Sequence, residues 1–144
     1  MKTNLEQHQT STPNALLGPQ KLKHNIDIRL ACVEDGIDNT GFRKIAAFIK
    51  SIHPNTKVAY VPTANLRNLI GVLMERGGGN LNNNDTHRVA QFMAEGDIAA
   101  FSSMTQSSRT VYKIIANVKI INPLSYIVWG GIHPIIQPED AIKH

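Results

Sequence analysis

A chain of 144 residues, 42% hydrophobic and 18% charged with a net charge of +4, is sized for one globular domain with its own core. That composition excludes a disordered tail, and no apolar run approaches the ~18 residues a bilayer span requires. The polar opening stretch "MKTNLEQHQTSTPNALLGPQ" has no apolar centre of the secretory kind, so a cytoplasmic location without a membrane partner is expected.

The single cysteine, Cys32, rules out an internal disulfide and any cysteine-built metal or iron–sulfur site within this chain. In its apolar surroundings it reads as a small buried hydrophobe. Lysines and arginines are scattered, with neither a basic cluster nor an aromatic platform, so nucleic acid is not an expected partner. An affinity for anionic ligand groups stays open.

Residues 1–24 lack periodicity and read as a flexible leader, leaving 25–144 as one domain. "NIDIRLACV" is an apolar run of strand length. "TGFRKIAAFIKSI" then spaces Phe42, Ile45, Ala46, Ile49 and Ile52 as a helix does, with Thr40 as a candidate N-cap and Pro54-Asn55 as the break. "TKVAYVPT" is a second strand, "NLRNLIGVLMER" is helical in pattern, and "GGGNLNNND" reads as a loop. Asp85 or Thr86 can cap the helix "HRVAQFMAEG", which Gly96 closes. A third strand, "DIAAFSSMT", precedes a helix over "SSRTVYKIIANVKIIN" that Pro123 stops. A fourth strand, "SYIVWGG", leads to "QPEDAIKH", a helix with Pro138 in its first turn.

Strands alternating with helices predict a parallel sheet covered on both faces, and right-handed crossovers make it a doubly wound, flavodoxin-like (Rossmann-like) α/β domain of four to five strands. Such sheets ordinarily continue past the last helix read here, so the chain is expected to stop short of a final strand.

In such sheets ligands bind beyond the carboxyl ends of the strands, where strand order reverses. The segments at those ends are "EDGIDNTG", "SSMTQSS" and "GGIHP". Each has an ordinary reading. Glycines turn tightly, Ser102, Ser103 and Thr105 can cap a helix, Asp35 and Asp38 suit a turn and a cap, and His133 beside Pro134 suits an exposed loop. Their coincidence on one edge predicts a crevice of backbone N–H groups and hydroxyls for a polar or phosphate-bearing ligand. No nucleophile elbow, zinc-protease pair, P-loop or dinucleotide fingerprint occurs. His87 reads as a solvated helix residue, and Trp129 as packing in the core.

The three segments together resemble the cobalamin-binding domains that carry Asp-x-His-x-x-Gly after strand one, Ser-x-Leu after strand three and Gly-Gly after strand four. "DGIDNTG", "SSM" and Gly130-Gly131 hold those places. More narrowly, "GIDNTGFRKIAAFIK", "DIAAFSSMT" and "YIVWGGIHPIIQPEDAI" resemble the amino-terminal domain of cobalamin-dependent radical S-adenosylmethionine enzymes. The resemblance implies that Gly130 and Gly131 leave a slot for the nucleotide tail of cobalamin. It implies that Ser102 or Ser103 hydrogen-bonds that tail, and that Thr105 caps the next helix or touches it. It makes His133 a candidate contact to the corrin amides, and Asp35, Ile37 and Gly41 the first-loop positions.

Two departures qualify it. Ile37 replaces the histidine that ligates cobalt from below, and Gly41 falls one position late, which implies a lower cobalt face left to water or to nothing. The Cys-x3-Cys-x2-Cys barrel that holds the 4Fe-4S cluster and S-adenosylmethionine is not in this chain. The resemblance therefore implies a non-catalytic binding module, with methyl transfer or radical rearrangement belonging to a longer parent in which that barrel follows in cis. The alternative is a flavodoxin-like domain binding a nucleotide or flavin, or a ligand-free regulatory or interaction module.

Overall fold

The computed structural model describes residues 25–34, 39–63 and 81–143. The elements in chain order are β1 (Ile28–Val33), α1 (Thr40–Ile52), β2 (Lys57–Val61), α2 (Asn83–Ala94), β3 (Ile98–Ser103), a 3₁₀ turn (Thr105–Ser107), α3 (Ser108–Ile121), β4 (Tyr126–Gly130), α4 (Ile132–Ile136) and α5 (Pro138–Ile142). The four strands form one sheet in the order β2-β1-β3-β4, parallel throughout. This is the flavodoxin-like doubly wound arrangement, with the reversal of strand order between β1 and β3. The helical pattern over 65–76 and the glycine run Gly77–Gly79 lie outside the described residues, as does the leader.

Side chains alternate across the sheet and divide the core in two. On the face covered by α2 and α3, Ala31, Val33, Ala99 and Phe101 pack with Met93, Val111, Ile114 and Val118. On the other face, Ile28, Leu30 and Cys32 pack beneath Phe42 and Ala46 of α1. Phe42 also meets Tyr60 of β2 edge to face, with centroids 5.6 Å apart, which fixes α1 over β1 and β2.

Burial on both faces, expected from the apolar strands, holds for β1 alone. Every residue of β1 is buried, β3 alternates buried with half-buried, and β4 has no buried residue. Among the described residues only α1 packs on the second face, and none of their helices covers the half of it over β3 and β4.

Helix starts differ from the sequence reading by a residue or more. Asn39, not Thr40, caps α1, its side chain accepting the Phe42 N–H at 2.9 Å. Asn82 caps α2 by accepting the Asp85 N–H at 2.8 Å, so "NNND" belongs to the helix start rather than to the loop. Asparagine offers the same short acceptor as aspartate or threonine, and the two helices simply begin at the earlier one.

Arg29 closes the amino end of the sheet. Its buried guanidinium pairs with Asp27 at 2.9 Å and Glu95 at 3.1 Å, and it lies 4.9 Å from the centre of the Phe92 ring. The stem packs as a hydrophobe while the head holds the end of α2 to β1. Arg29→Ala is expected to lower the unfolding free energy by about 2–4 kcal/mol, read from urea denaturation at an unchanged m-value.

Candidate functional site

The register of the strands fixes what stands at their carboxyl ends. Cys32 pairs with Ser102, and Ser102 pairs with Gly130, so the three form a row across β1, β3 and β4. Alternation places this row on the α1 face, with Cys32 in that face's core. Ser102 is half-buried. A Cβ built on Gly130 would meet nothing nearer than the Phe101 carbonyl oxygen, at 3.9 Å. Space therefore opens above Gly130, beside a hydroxyl and in front of the flank of α1.

The entrance of α1 is tied to the end of β1. Asn39 accepts from Phe42 with its oxygen and donates to the Glu34 carboxylate with its nitrogen, at 2.8 Å. Burial, and then the Glu34 charge, push the Cys32 thiol up to about 11. Cys32 is thus a neutral wall of the row and not a thiolate nucleophile.

One residue further along, everything faces the other way. The Ser103 hydroxyl is fully buried and accepts a hydrogen bond from Trp129 Nε1 at 3.0 Å. Trp129 is stacked on the His133 ring, centroids 5.0 Å apart at 28°, and meets Tyr112 edge-on at 4.9 Å. The Tyr112 hydroxyl donates to Asp140 Oδ2 at 2.5 Å and lies 3.1 Å from His133 Nε2. With the tyrosine proton spent on Asp140, the network assigns the imidazole proton to Nε2, which points to the Tyr112 oxygen and lies 3.3 Å from Asp140. His133 Nδ1 is buried with no partner among the described residues. Four side chains thus lock α4 and α5 onto α3.

Gly131 makes that lock sterically possible. Its φ of 101° lies in the left-handed region, and a Cβ there would come within 2.5 Å of the Ser103 carbonyl oxygen and 2.8 Å of its nitrogen. The bare backbone at Gly131 is accounted for by contact with the chain's own β3. Only Gly130 has the open surroundings of a slot.

The sequence-derived positions therefore separate. Ser102 and Gly130 are brought together on one face. Ser103 and His133 are turned to the opposite face, where His133, at 2% exposure, sits inside α4 rather than in an exposed loop. Thr105 starts the 3₁₀ turn and is exposed, and it makes no side-chain cap: the N-cap of α3 is Ser107. Gly41 stands exposed in the first turn of α1. Asp35, Ile37 and Asp38 lie outside the described residues.

Tyr112, Asp140 and Asn39 carry no motif in the sequence that marks them as site residues. The stretch from Gly130 to Asp140 did carry the signal, since its histidine and its acidic residue meet at Tyr112. Beneath this cluster, α3, β4, α4 and α5 enclose an open cavity of about 440 Å³ lined by Ile115, Ile127, Trp129, Pro138 and Ile142. Its one cation, Lys119, is turned to the carbonyls of Ser125 and Pro123, at 2.7 and 3.3 Å. Among the described residues no three His, Cys, Asp or Glu side chains gather as a metal site, and no helix is long and apolar enough to cross a membrane. No protein-family model, curated protein or solved structure matches the chain.

The two adjacent glycines should respond in opposite ways. Gly131→Ala is expected to lower the melting temperature by many degrees, through strain at positive φ and a clash with backbone that cannot move aside. Gly130→Ala is expected to leave it nearly unchanged. A thermal melt of the pair by circular dichroism checks both.

Burial, and then the bond to and charge of Asp140, push the Tyr112 hydroxyl up to about 12 from an ordinary value near 10. A folded-state value above the unfolded one means stability that is present in full below pH ~10 and lost as the pH climbs through about 12. Asp140→Asn is expected to bring the Tyr112 transition to lower pH in an ultraviolet absorbance titration.

Proposed function

We propose that this chain is a cobalamin-binding module, receiving the nucleotide tail of the cofactor on the α1 face between Ser102 and Gly130. The observation that carries the reading is the Cys32–Ser102–Gly130 row: small side chains in register at the reversal of strand order, with free space where Gly130 lacks a Cβ. An α/β sheet accepts its ligand at that place for topological reasons. A slot one side chain wide suits a slender polar tail better than a broad ring.

In this reading Ser102 donates to or accepts from the polar atoms of the tail. Gly130 leaves the tail room to descend, and Cys32 gives it an uncharged wall. Ser103 takes no part, because its hydroxyl is held by Trp129. Gly131, Trp129 and His133 act on the slot indirectly, by fixing the end of β4 against β3. Cobalamin, when bound, supplies methyl-carrier or radical chemistry, and the groups that would use it belong to a radical S-adenosylmethionine domain outside this chain. The chain binds and orients and does not itself catalyse.

The test is retention of hydroxocobalamin after mixing and desalting, followed by the corrin absorbance. Wild-type protein is expected to keep the chromophore, and Gly130→Val, whose added carbons enter open space and leave the fold intact, is expected to lose it. Failure of the wild type to retain corrin, or equal retention by Gly130→Val, would refute the slot.

A further inference from the structure

α1 carries more apolar surface than its own sheet uses. Phe42, Ala46 and Ile49 turn toward β1, while Ile45, Phe48 and Ile52 form a second stripe at three- and four-residue spacing. In a right-handed helix placed by a right-handed β1–α1–β2 crossover, that stripe turns away from β2 and toward β3. It overlooks the open half of the sheet, whose outermost side chains are Tyr126 and Val128. These five side chains are each between 52% and 70% exposed. Together they present roughly 600 Å² of apolar surface, at the top of what monomeric proteins carry in one patch and near the apolar share of one side of a stable dimer interface.

The shape of the gap selects the occupant. Two strand spacings of ~4.8 Å leave a floor about 10 Å wide over β3 and β4, the diameter of one α-helix. The wall beside it is the apolar flank of a helix. The floor residues Ala100, Tyr126 and Val128 and the wall residues Ile45, Phe48 and Ile52 carry no charge, and Lys44, one turn before Phe48, stands at the solvent margin of the wall. A copy of this chain brings a helix whose spare stripe matches the first one.

We infer that two copies of the chain associate through this face, each seating α1 against the α1 stripe and the open β3–β4 strip of the other. The contact is isologous: Ile45, Phe48 and Ile52 of one copy meet the same residues of the second, and Tyr126 and Val128 are covered in both. The helix stripes meet at the 8–10 Å spacing of ordinary helix pairs. This association stands apart from the cobalamin reading, because it uses side chains outside the Cys32–Ser102–Gly130 row.

Sedimentation velocity of the whole chain across micromolar to hundreds-of-micromolar concentration tests it. A reversible monomer–dimer equilibrium is expected. Phe48→Lys and, separately, Val128→Lys should each weaken dimerisation at least tenfold with circular dichroism unchanged, since both side chains already face solvent in the single copy. Leu124→Lys, also exposed but outside the face, should leave it intact. A monomer at every concentration overturns the inference, and so does a dimer that survives both lysine substitutions.

Discussion

The contact between Gly131 and the backbone of Ser103 determines how the carboxyl edge of the sheet is built. At that point β4 has ended and the chain must turn onto the α2–α3 face while staying close to β3. A side chain at Gly131 would occupy the space that the Ser103 carbonyl already fills. Because the approach is so close, Trp129 can reach the Ser103 hydroxyl, His133 can stack on Trp129, and Tyr112 can bridge His133 and Asp140. The same pleat that sends Ser103 and Trp129 to one face sends Ser102 and Gly130 to the other. One backbone contact thus serves a rigid cluster on one side and an open slot on the opposite side.

The order of strands and helices was legible because period and punctuation agree over long stretches. Asn, Pro and Gly interrupt the chain where the apolar pattern changes from strand to helix. Positions facing each other were legible only in part. Two successive serines at the end of a strand must face opposite ways, yet which of them faces the crevice depends on the register with β4. The same holds for the glycine pair. "GG" reads as a single feature, while the structure gives Gly130 open space and Gly131 a steric duty. In the sequence His133, followed by Pro134, suits an exposed loop. Proline is tolerated in the first turn of a helix, however, and the ring is drawn inward by an aromatic partner 21 residues before it and another four residues before it. Contacts of that range leave no periodic trace.

The sheet is also asymmetric in a way its composition hides. "YIVWG" is apolar without alternation, which is the pattern of a strand covered on both sides. Ile127 and Trp129 find partners among α3, α4 and α5, and Tyr126 and Val128 find no covering side chains among the described residues. The apolar stripe of α1 has the same character. Phe42 and Ala46 are explained by β1, and Ile45, Phe48 and Ile52 are not. Two surpluses on different elements adjoin one gap, which makes them one apolar surface rather than two unrelated exposures.

Slot and gap share the α1 face and differ in chemistry along the strand direction. Toward the carboxyl ends the row of Cys32, Ser102 and Gly130 offers small polar or neutral surfaces beside free space, and the Glu34–Asn39 pair holds α1 at a fixed distance above it. Toward the amino ends Tyr126, Val128 and Ile52 offer apolar bulk, with the Tyr126 hydroxyl as the one polar group among them. A helix seated on the apolar part would wall off the open side of the row without entering it, because the groups it packs against stop at Val128. Desolvation of that side would strengthen any hydrogen bond made by Ser102, since a hydroxyl shielded from water competes less with solvent for its partner.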